Sequence, residues 1–413
     1  ALNVGGFSAP FKYRSAVVTR RIDWENESVT LVLASGISRT AKRYGSQGCI
    51  THPLDHDGIY FEPSLVEPHT PDPATTPWPM GDVAEPYAGP LDAGLLNRVT
   101  EIAMRPEGKT LGFVVTHNGQ IAAEAYGEDV DRHSPLESWS MGKSLTGMLM
   151  GILIRQGAYA LDQPAPVPEW QGDARAEIRI RDIMRMSSGI RIRAPQDPDF
   201  DPALGYPDHL YLYTGENAFE WAASRPQQWP PGSVGRYRNC DPVLINYLIR
   251  LAVEGRGDDY HAFPQRALFD KLGIRHFIME TDPHGNFLTQ GYELGSARDW
   301  ARLGNLVLHD GVWNGERILP EGYVKYAFEV APAWVADGRP VYGGAFLWRN
   351  LGVPIEVEYG AFAGAGGQTV IIIPAYGLVI ARLGKYAAAE PGIANLHEAV
   401  ALLVDAAAAT ATD

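Results

Sequence analysis

The sequence predicts a mixed α/β (α+β) fold, an antiparallel sheet flanked by helices with a mainly helical region inserted into it. Three observations carry this. Hairpin signals occur twice, around Asn118-Gly119 and around Pro374 to Gly377, each between apolar β-rich runs. Between them, from about 156 to 330, the apolar spacing is mostly helical. The last apolar run, Ile393 to Leu403, has the length of a helix that packs on the sheet. Strands contributed before and after a helical insertion can share one sheet, with a crevice where the two regions meet.

The elements follow in order. Residues 1–90 read as an N-terminal extension packed on the main body, with strand-like runs at Ser28 to Leu33 and Gly58 to Phe61. Glu67 to Pro90, rich in Pro, Thr and Asp, reads as a linker laid over the surface. His52, Asp55, His56 and Asp57 suggest a metal site, but a Pro-containing polar loop accounts for them equally and no metal is assigned. Residues 91–155 and 331–413 form the predicted sheet domain, and 156–330 the helical one. The sheet domain opens with a helix from Asp92 to Met104, then a hairpin from Thr110 to Tyr126. Ser296 to Leu308 reads as a helix with a Ser296/Asp299 box-like cap. Thr369 to Ile373 and Leu378 to Leu383 are the strands of the second hairpin. Apart from the alanine-rich tail 406–411 there is no low-complexity segment and no internal repeat. Ile192 to Gly215, with Phe200, Tyr206, Tyr211 and Tyr213, is long for a loop and is read as a lid over a binding pocket.

A chain of 413 residues with a formal net charge of −14 can bury a large core and is a poor partner for nucleic acid or anionic membrane. No window has the roughly 18 unbroken apolar residues of a membrane span. Cys49 and Cys240 make no disulfide framework, and Cys240 reads as a small buried filler. The chain begins at Ala1 without a signal-peptide pattern, as a processed exported form or a trimmed chain would.

Chemistry concentrates at Ser140-Met-Gly-Lys143, at the start of an apolar helix. Residues i and i+3 share a helical face, so the Lys143 amine can approach the Ser140 hydroxyl and, if burial keeps it partly neutral, accept its proton. Gly142, Gly147 and Gly151 are costly inside a helix and imply close packing. Alone, the motif is equally a capping serine with a solvated lysine. Gly142-Lys143-Ser144 also imitates a phosphate loop, but Glu137 stands where that loop needs glycine, which excludes nucleotide. A second element, Tyr237-Arg-Asn239, precedes Asp241-Pro242, read as N-cap and first position of a helix through Val253. A phenol beside a lysine ammonium loses its proton more easily, and the Asn239 amide can bond both Lys143 and a carbonyl. A third element is Gly364-Ala-Gly366-Gly367-Gln368, entering a strand whose edge substrate backbone can approach. Backbone N–H groups there can complete an oxyanion hole with that of Ser140.

These three elements in this order resemble the serine β-lactamase and penicillin-binding-protein superfamily, in its class C and esterase branch. Ile180 to Gly189, Asp310 to Pro320 and Gly366-Gly-Gln368 are similar to segments of its 6-aminohexanoate-oligomer hydrolase subgroup, and the likeness covers about 90 to 405. The resemblance implies a β-lactamase-like fold, an acylated Ser140, Lys143 as its activator, Tyr237 as proton shuttle and Asn239 on the substrate amide. It gives the second oxyanion N–H to Gln368. Gly366, Gly367, Trp348 and Tyr206 are candidate substrate contacts. The third motif departs from the family: Ala365-Gly366-Gly367 has no Lys or His, so a substrate carboxylate loses its usual counter-charge.

The expected activity is therefore a serine hydrolase acting on a small amide or ester, leaning to 6-aminohexanoate-oligomer-like amides, with carboxylesterase as the rival. A penicillin-binding sensor without turnover is the rival of another class. No cofactor is expected, a homodimer is admitted, and the export of many relatives points to the periplasm.

Overall fold

The computed structural model describes residues 17–193, 208, 212 and 217–410. Strands β1 (Val17–Asp23), β2 (Ser28–Leu33), β3 (Ser38–Arg43) and β4 (Cys49–Thr51) form an antiparallel meander of their own. Helix α1 (Ala93–Ala103) leads into β5 (Thr110–His117) and β6 (Gln120–Tyr126). The short β7 (Leu136–Glu137) precedes helices α2 (Gly142–Arg155), α3 (Ile180–Met184), α4 (Ala218–Ala223) and α5 (Cys240–Gly255). Next come β8 (Ile278–Met279) and β9 (Glu293–Gly295), which pair with β7 in the order β7-β9-β8, then α6 (Ala297–Leu308). A small hairpin, β10 (Val312–Trp313) with β11 (Glu316–Arg317), is followed by α7 (Tyr323–Phe328) and α8 (Pro332–Ala336). The chain closes with β12 (Gly360–Gly364), β13 (Gln368–Ile373), β14 (Leu378–Gly384) and α9 (Ala389–Thr410).

The central sheet has the order β12-β13-β14-β5-β6, so strands distant in sequence lie side by side. The β5–β6 turn places Asn118 (φ 49°) and Gly119 (φ 82°) in the left-handed region, as a two-residue Asn-Gly hairpin requires. Period-two alternation then sorts the side chains. Val114, Val370, Ile372 and Val379 join the core beneath α2 and α6, while Phe113, Val115, Ile371 and Ile380 join the core with α1 and α9. With both faces covered, β13 reads as an unbroken apolar run rather than an alternating one.

Local capping matches the sequence closely. Asp92 caps α1 by accepting from the N–H groups of Gly94 (2.8 Å) and Leu95 (3.2 Å). Ser296 and Asp299 form the reciprocal capping box of α6. Three expectations are corrected. Gly58 to Phe61 is bent rather than a strand and bonds the body through Tyr60 N–H to the Pro283 carbonyl (2.8 Å). Helix α5 begins at Cys240, so Asp241 and Pro242 are buried in its first turn and Asp241 does not cap it. Helix α9 runs well beyond Ile393 to Leu403, because the alanine tail has the highest helix propensity and simply continues it. The stretch Tyr386–Thr410 is long and apolar enough to cross a membrane, but 44% of its apolar window is buried against the rest of this fold.

Glu67 to Pro90 is irregular, as its composition suggests, yet two buried arginines of α6 pin it. Arg302 donates to the carbonyls of Pro79 (2.8 Å) and Gly81 (3.0 Å), and Arg298 to the carbonyl of Asp82 (3.0 Å) while forking Glu124 at 2.6 and 2.7 Å. Replacing Arg302 by Met leaves those carbonyls and the Asp299 carboxylate without their buried donor. The expected cost is about 3–5 kcal/mol in denaturant unfolding, with hydrogen exchange accelerated first at residues 77–83.

Candidate active site

The central turn starts from strand pairing. β7 pairs with β9, and Ser138 just beyond it still bonds Glu293, N–H to carbonyl at 3.0 Å and hydroxyl to carbonyl at 2.8 Å. Held there, the chain reverses into α2 through a tight turn, Trp139–Met141, with Trp139 at φ 50°. A bulky residue in the left-handed region costs about 1–3 kcal/mol and persists only where its surroundings compel it. Trp139 and Met141 are buried on either side and Ser140 between them stays accessible. Ser140 therefore lies on a strained turn before the helix rather than on the helix itself.

The glycines of α2 are explained by contact. A Cβ on Gly142 would stand 1.9 Å from Glu293 Oε2, one on Gly147 2.4 Å from the Ala345 carbonyl, and one on Gly151 2.8 Å from the Tyr323 ring.

Lys143 is 1% exposed and donates to Ser140 Oγ at 2.8 Å and to the Gln290 carbonyl at 2.5 Å. Burial lowers its pKa to about 7, with the Glu293 carboxyl opposing. Its Nζ lies 4.9 Å from the centre of the Tyr237 ring. Burial pushes the Tyr237 phenol above its ordinary range, and its hydrogen bond with Ser140 opposes this only in part. That reverses the expectation of an acidified phenol: desolvation outweighs the Ser140 hydrogen bond, so near pH 7 Tyr237 keeps its proton while Lys143 is partly neutral. Asn239 is half-buried two residues on, immediately before α5. Asp241 reaches back instead to the turn after α3, accepting from Ser188 Oγ at 2.7 Å, and burial raises its pKa to about 7.

The third motif is arranged differently from the expectation. The Trp348 segment bridges to β12 at Ala361, with N–H to carbonyl bonds of 3.0 and 2.9 Å. Backbone groups alternate along a strand, so Ala363 turns its N–H and carbonyl to that same outer edge, and Gly364 pairs inward with Gln368. Gln368 is thus on an interior strand with its N–H committed to the ladder, and its side chain clasps Gly384 at 2.7 and 2.8 Å. Gly366 and Gly367, at φ 82° and 76°, make the turn and lie against Tyr386 and Arg382. The glycine pressed on the nucleophile turn is Gly364, where a Cβ would fall 2.1 Å from the Ser138 carbonyl and 3.1 Å from Ser140 N. Arg382 is a cation close behind this motif, but it is fully buried. It donates to the carbonyls of Gly366 (3.1 Å), Gly367 (2.9 Å) and Gly108 (2.7 Å) and to Thr110 Oγ1 (3.2 Å).

Trp348 stands beside Tyr237, ring centres 5.6 Å apart, with Tyr342 edge-on to it at 4.9 Å. Tyr206 and most of the proposed lid lie outside the described residues. The structure thus brings together Ser140, Lys143, Tyr237 and Trp348. It adds Gln290, Glu293 and Ala363, which sequence reasoning missed because contact across β7–β9 and strand-edge polarity leave no local motif. Among the described residues no cluster of His, Cys, Asp and Glu could hold a metal ion.

The family model described as Beta-lactamase matches residues 102–403. A 6-aminohexanoate-dimer hydrolase of Paenarthrobacter ureafaciens is 26% identical over 261 residues, or 59% of this chain, and the match spans only 62% of that relative's length. Among solved structures, a Bacillus anthracis protein provisionally named 6-aminohexanoate-dimer hydrolase superposes with a TM-score of 0.62 at 21% identity, covering 84% of this chain and 92% of its own. A family VIII carboxylesterase gives 0.56 at 12% identity, covering 75% and 99%.

Tight packing under the nucleophile makes a clear expectation. Gly142→Ala loses at least about 1–3 kcal/mol from overpacking in thermal or denaturant unfolding. Gly255→Ala, at the end of α5 with nothing within 4 Å of the added carbon, is neutral or stabilising.

Proposed function

The chain belongs to the beta-lactamase family, a family of β-lactamase-fold hydrolases, and from that premise we propose that it cleaves a small amide or ester through an acyl-enzyme on Ser140. The observation that carries the proposal is the 2.8 Å contact from a fully buried lysine amine to an accessible serine hydroxyl. Lys143 takes the Ser140 proton as Oγ attacks the substrate carbonyl. The oxyanion is received by the Ser140 N–H and by the outer-edge N–H of Ala363, in place of Gln368. Tyr237, bonded to Ser140 and beside Lys143, relays that proton to the leaving nitrogen or oxygen as its bond to carbon breaks. Water then attacks the ester and the same groups run in reverse. Asn239, at the same helix entry, is proposed to hold the substrate amide. Acid–base groups placed this way contribute about 10²–10⁴-fold, and one oxyanion donor about 10²–10³-fold in kcat.

For the substrate, the reading leans to linear amides of the 6-aminohexanoate type. Two features support it: the Paenarthrobacter relative carries that name, and Arg382, behind the third motif, spends its donors on backbone carbonyls and Thr110 Oγ1 rather than on an incoming carboxylate. A β-lactam anion is poorly served by such a site.

Wild type and Ser140→Ala are compared on a p-nitrophenyl ester panel and on 6-aminohexanoate oligomers, following product release and intact mass. Loss of turnover in Ser140→Ala with a transient acyl mass on wild type is expected, and equal turnover by both would end the proposal. Because Lys143 must be neutral to accept a proton and its pKa is lowered to about 7, kcat/KM rises with pH through that region and levels off above it. Tyr237→Phe keeps the fold and the acidic limb but lowers kcat/KM by about 10²–10⁴-fold.

A further inference from the structure

Glu293 is the buried titratable group that the mechanism above does not use. It lies on β9, 1% exposed, opposite Met279 of β8. Its carboxyl rests on Gly142, the residue between Met141 and Lys143, with Oε2 so near that any side chain there would overlap it. Oε2 accepts a hydrogen bond from Ser138 Oγ at 3.3 Å, and Oε1 is buried with no hydrogen-bond partner. A buried carboxylate is costly unless a positive charge stands near it. Burial disfavours the charged form of Glu293, Lys143 is the strongest group opposing that, and Glu293 in turn opposes the lowering of Lys143.

We propose that Glu293 is a positioning residue for Lys143, supplying the counter-charge that the amine needs when it takes the proton of Ser140. The proposal rests on the acyl-enzyme reading and deepens it. During attack the Ser140 Oγ–H bond breaks, the Oγ–carbon bond forms, and the proton moves to Nζ, creating a buried ammonium. The Glu293 carboxylate offsets that charge across Gly142 while making and breaking no bond itself. A glycine at position 142 is then part of the device, because any larger residue would displace the carboxyl from beneath the lysine. The remaining groups around the pair are accounted for. Ser140 and the Tyr237 ring face Lys143 from the turn and from the entry to α5. Glu280, whose Oε1 accepts from Cys49 N–H at 2.9 Å, acts on Glu293 from the far side, and Glu137 acts on Glu280. Glu280 disfavours a negative Glu293, whereas Lys143 and then the hydrogen bond from Ser138 favour it.

The test is the pH profile of kcat/KM for Glu293→Gln, with Glu293→Asp as the charge-keeping control, on whichever substrate wild type turns over. The carboxylate stabilises the Lys143 ammonium, so removing it lets the amine lose its proton at lower pH. The acidic limb moves down by about one unit, which is about tenfold in kcat/KM below the limb. The plateau falls, KM is unchanged, and Glu293→Asp restores the limb. A limb that stays in place in Glu293→Gln, with kcat reduced only in step with the folded fraction, overturns the inference. Should Glu293→Gln not fold, a titration of ¹³Cε-labelled Lys143 in wild type decides instead. Two coupled steps are expected, and a single step counts against the pairing. Undiminished turnover in Ser140→Ala would defeat the serine mechanism itself. An unmoved limb in an enzyme that still depends on Ser140 defeats only the role of Glu293.

Discussion

The constraint on which the site depends is the absence of spare volume around the turn from Ser138 to Lys143. Gly142 and Gly364 each meet a neighbour at a distance no side chain could tolerate. The turn is therefore gripped by three elements at once, β9 through Ser138 and Glu293, β12 through Gly364, and the body of α2. Each comes from a different part of the chain, so Ser140 is positioned only when the sheet and the helical region have both formed. The left-handed Trp139 is the visible cost of that grip. It turns Ser140 outward while its neighbours on both sides are buried, an arrangement that a regular helix start would not give.

Burial has a second consequence, which is electrostatic. The same desolvation lowers Lys143 and raises Tyr237, Asp241 and Glu293. A cationic acid and a neutral acid respond to it with opposite sign, because in each case the charged form is disfavoured. One environment thus yields an amine that is free near neutral pH beside a phenol that keeps its proton. A base and an acid are needed at the two ends of a proton transfer, and here the division follows from side-chain chemistry alone.

Much of the frame was legible in the sequence, for reasons that are local. Asn118-Gly119 can make only a few kinds of turn, Asp92 and Ser296/Asp299 cap through bonds spanning two or three residues, and Ser140/Lys143 are one helical turn apart. What could not be read depends on partners far along the chain. The Gly58 to Phe61 run has the composition of a strand but is bent, and meets the body through Tyr60 N–H and the Pro283 carbonyl. Asp241-Pro242 has the look of a helix start, yet Ser188 takes the Asp241 carboxyl and the helix begins two residues earlier, at Cys240. In the third motif the glycines were correctly singled out, but which one meets the nucleophile turn depends on strand polarity. Register assigns Gly364 to that contact and leaves Gly366 and Gly367 to the turn behind it.

That polarity also bears on why the motif can lack a cation. Along β12 the outer edge is occupied at Ala361 by the Trp348 segment and continues to Ala363, next to the Gly364 that meets Ser140 N. Trp348 lies against Tyr237, and Tyr342 stacks on Trp334 behind them at 5.3 Å. The approach to the nucleophile is therefore bounded by aromatic faces and a backbone edge, which recognise apolar chain and carbonyl groups without regard to charge. A lysine in the third motif would add selectivity for carboxylate at this edge. Arg382, the cation nearest the motif, instead ties the carbonyls of Gly366 and Gly367 to that of Gly108. Its charge is spent on holding the turn that ends β12, so the strand edge stays in place while its selectivity is left to shape. On that basis the acyl-transfer apparatus proposed for Ser140 would be better matched to an uncharged amide or ester segment than to an anionic β-lactam.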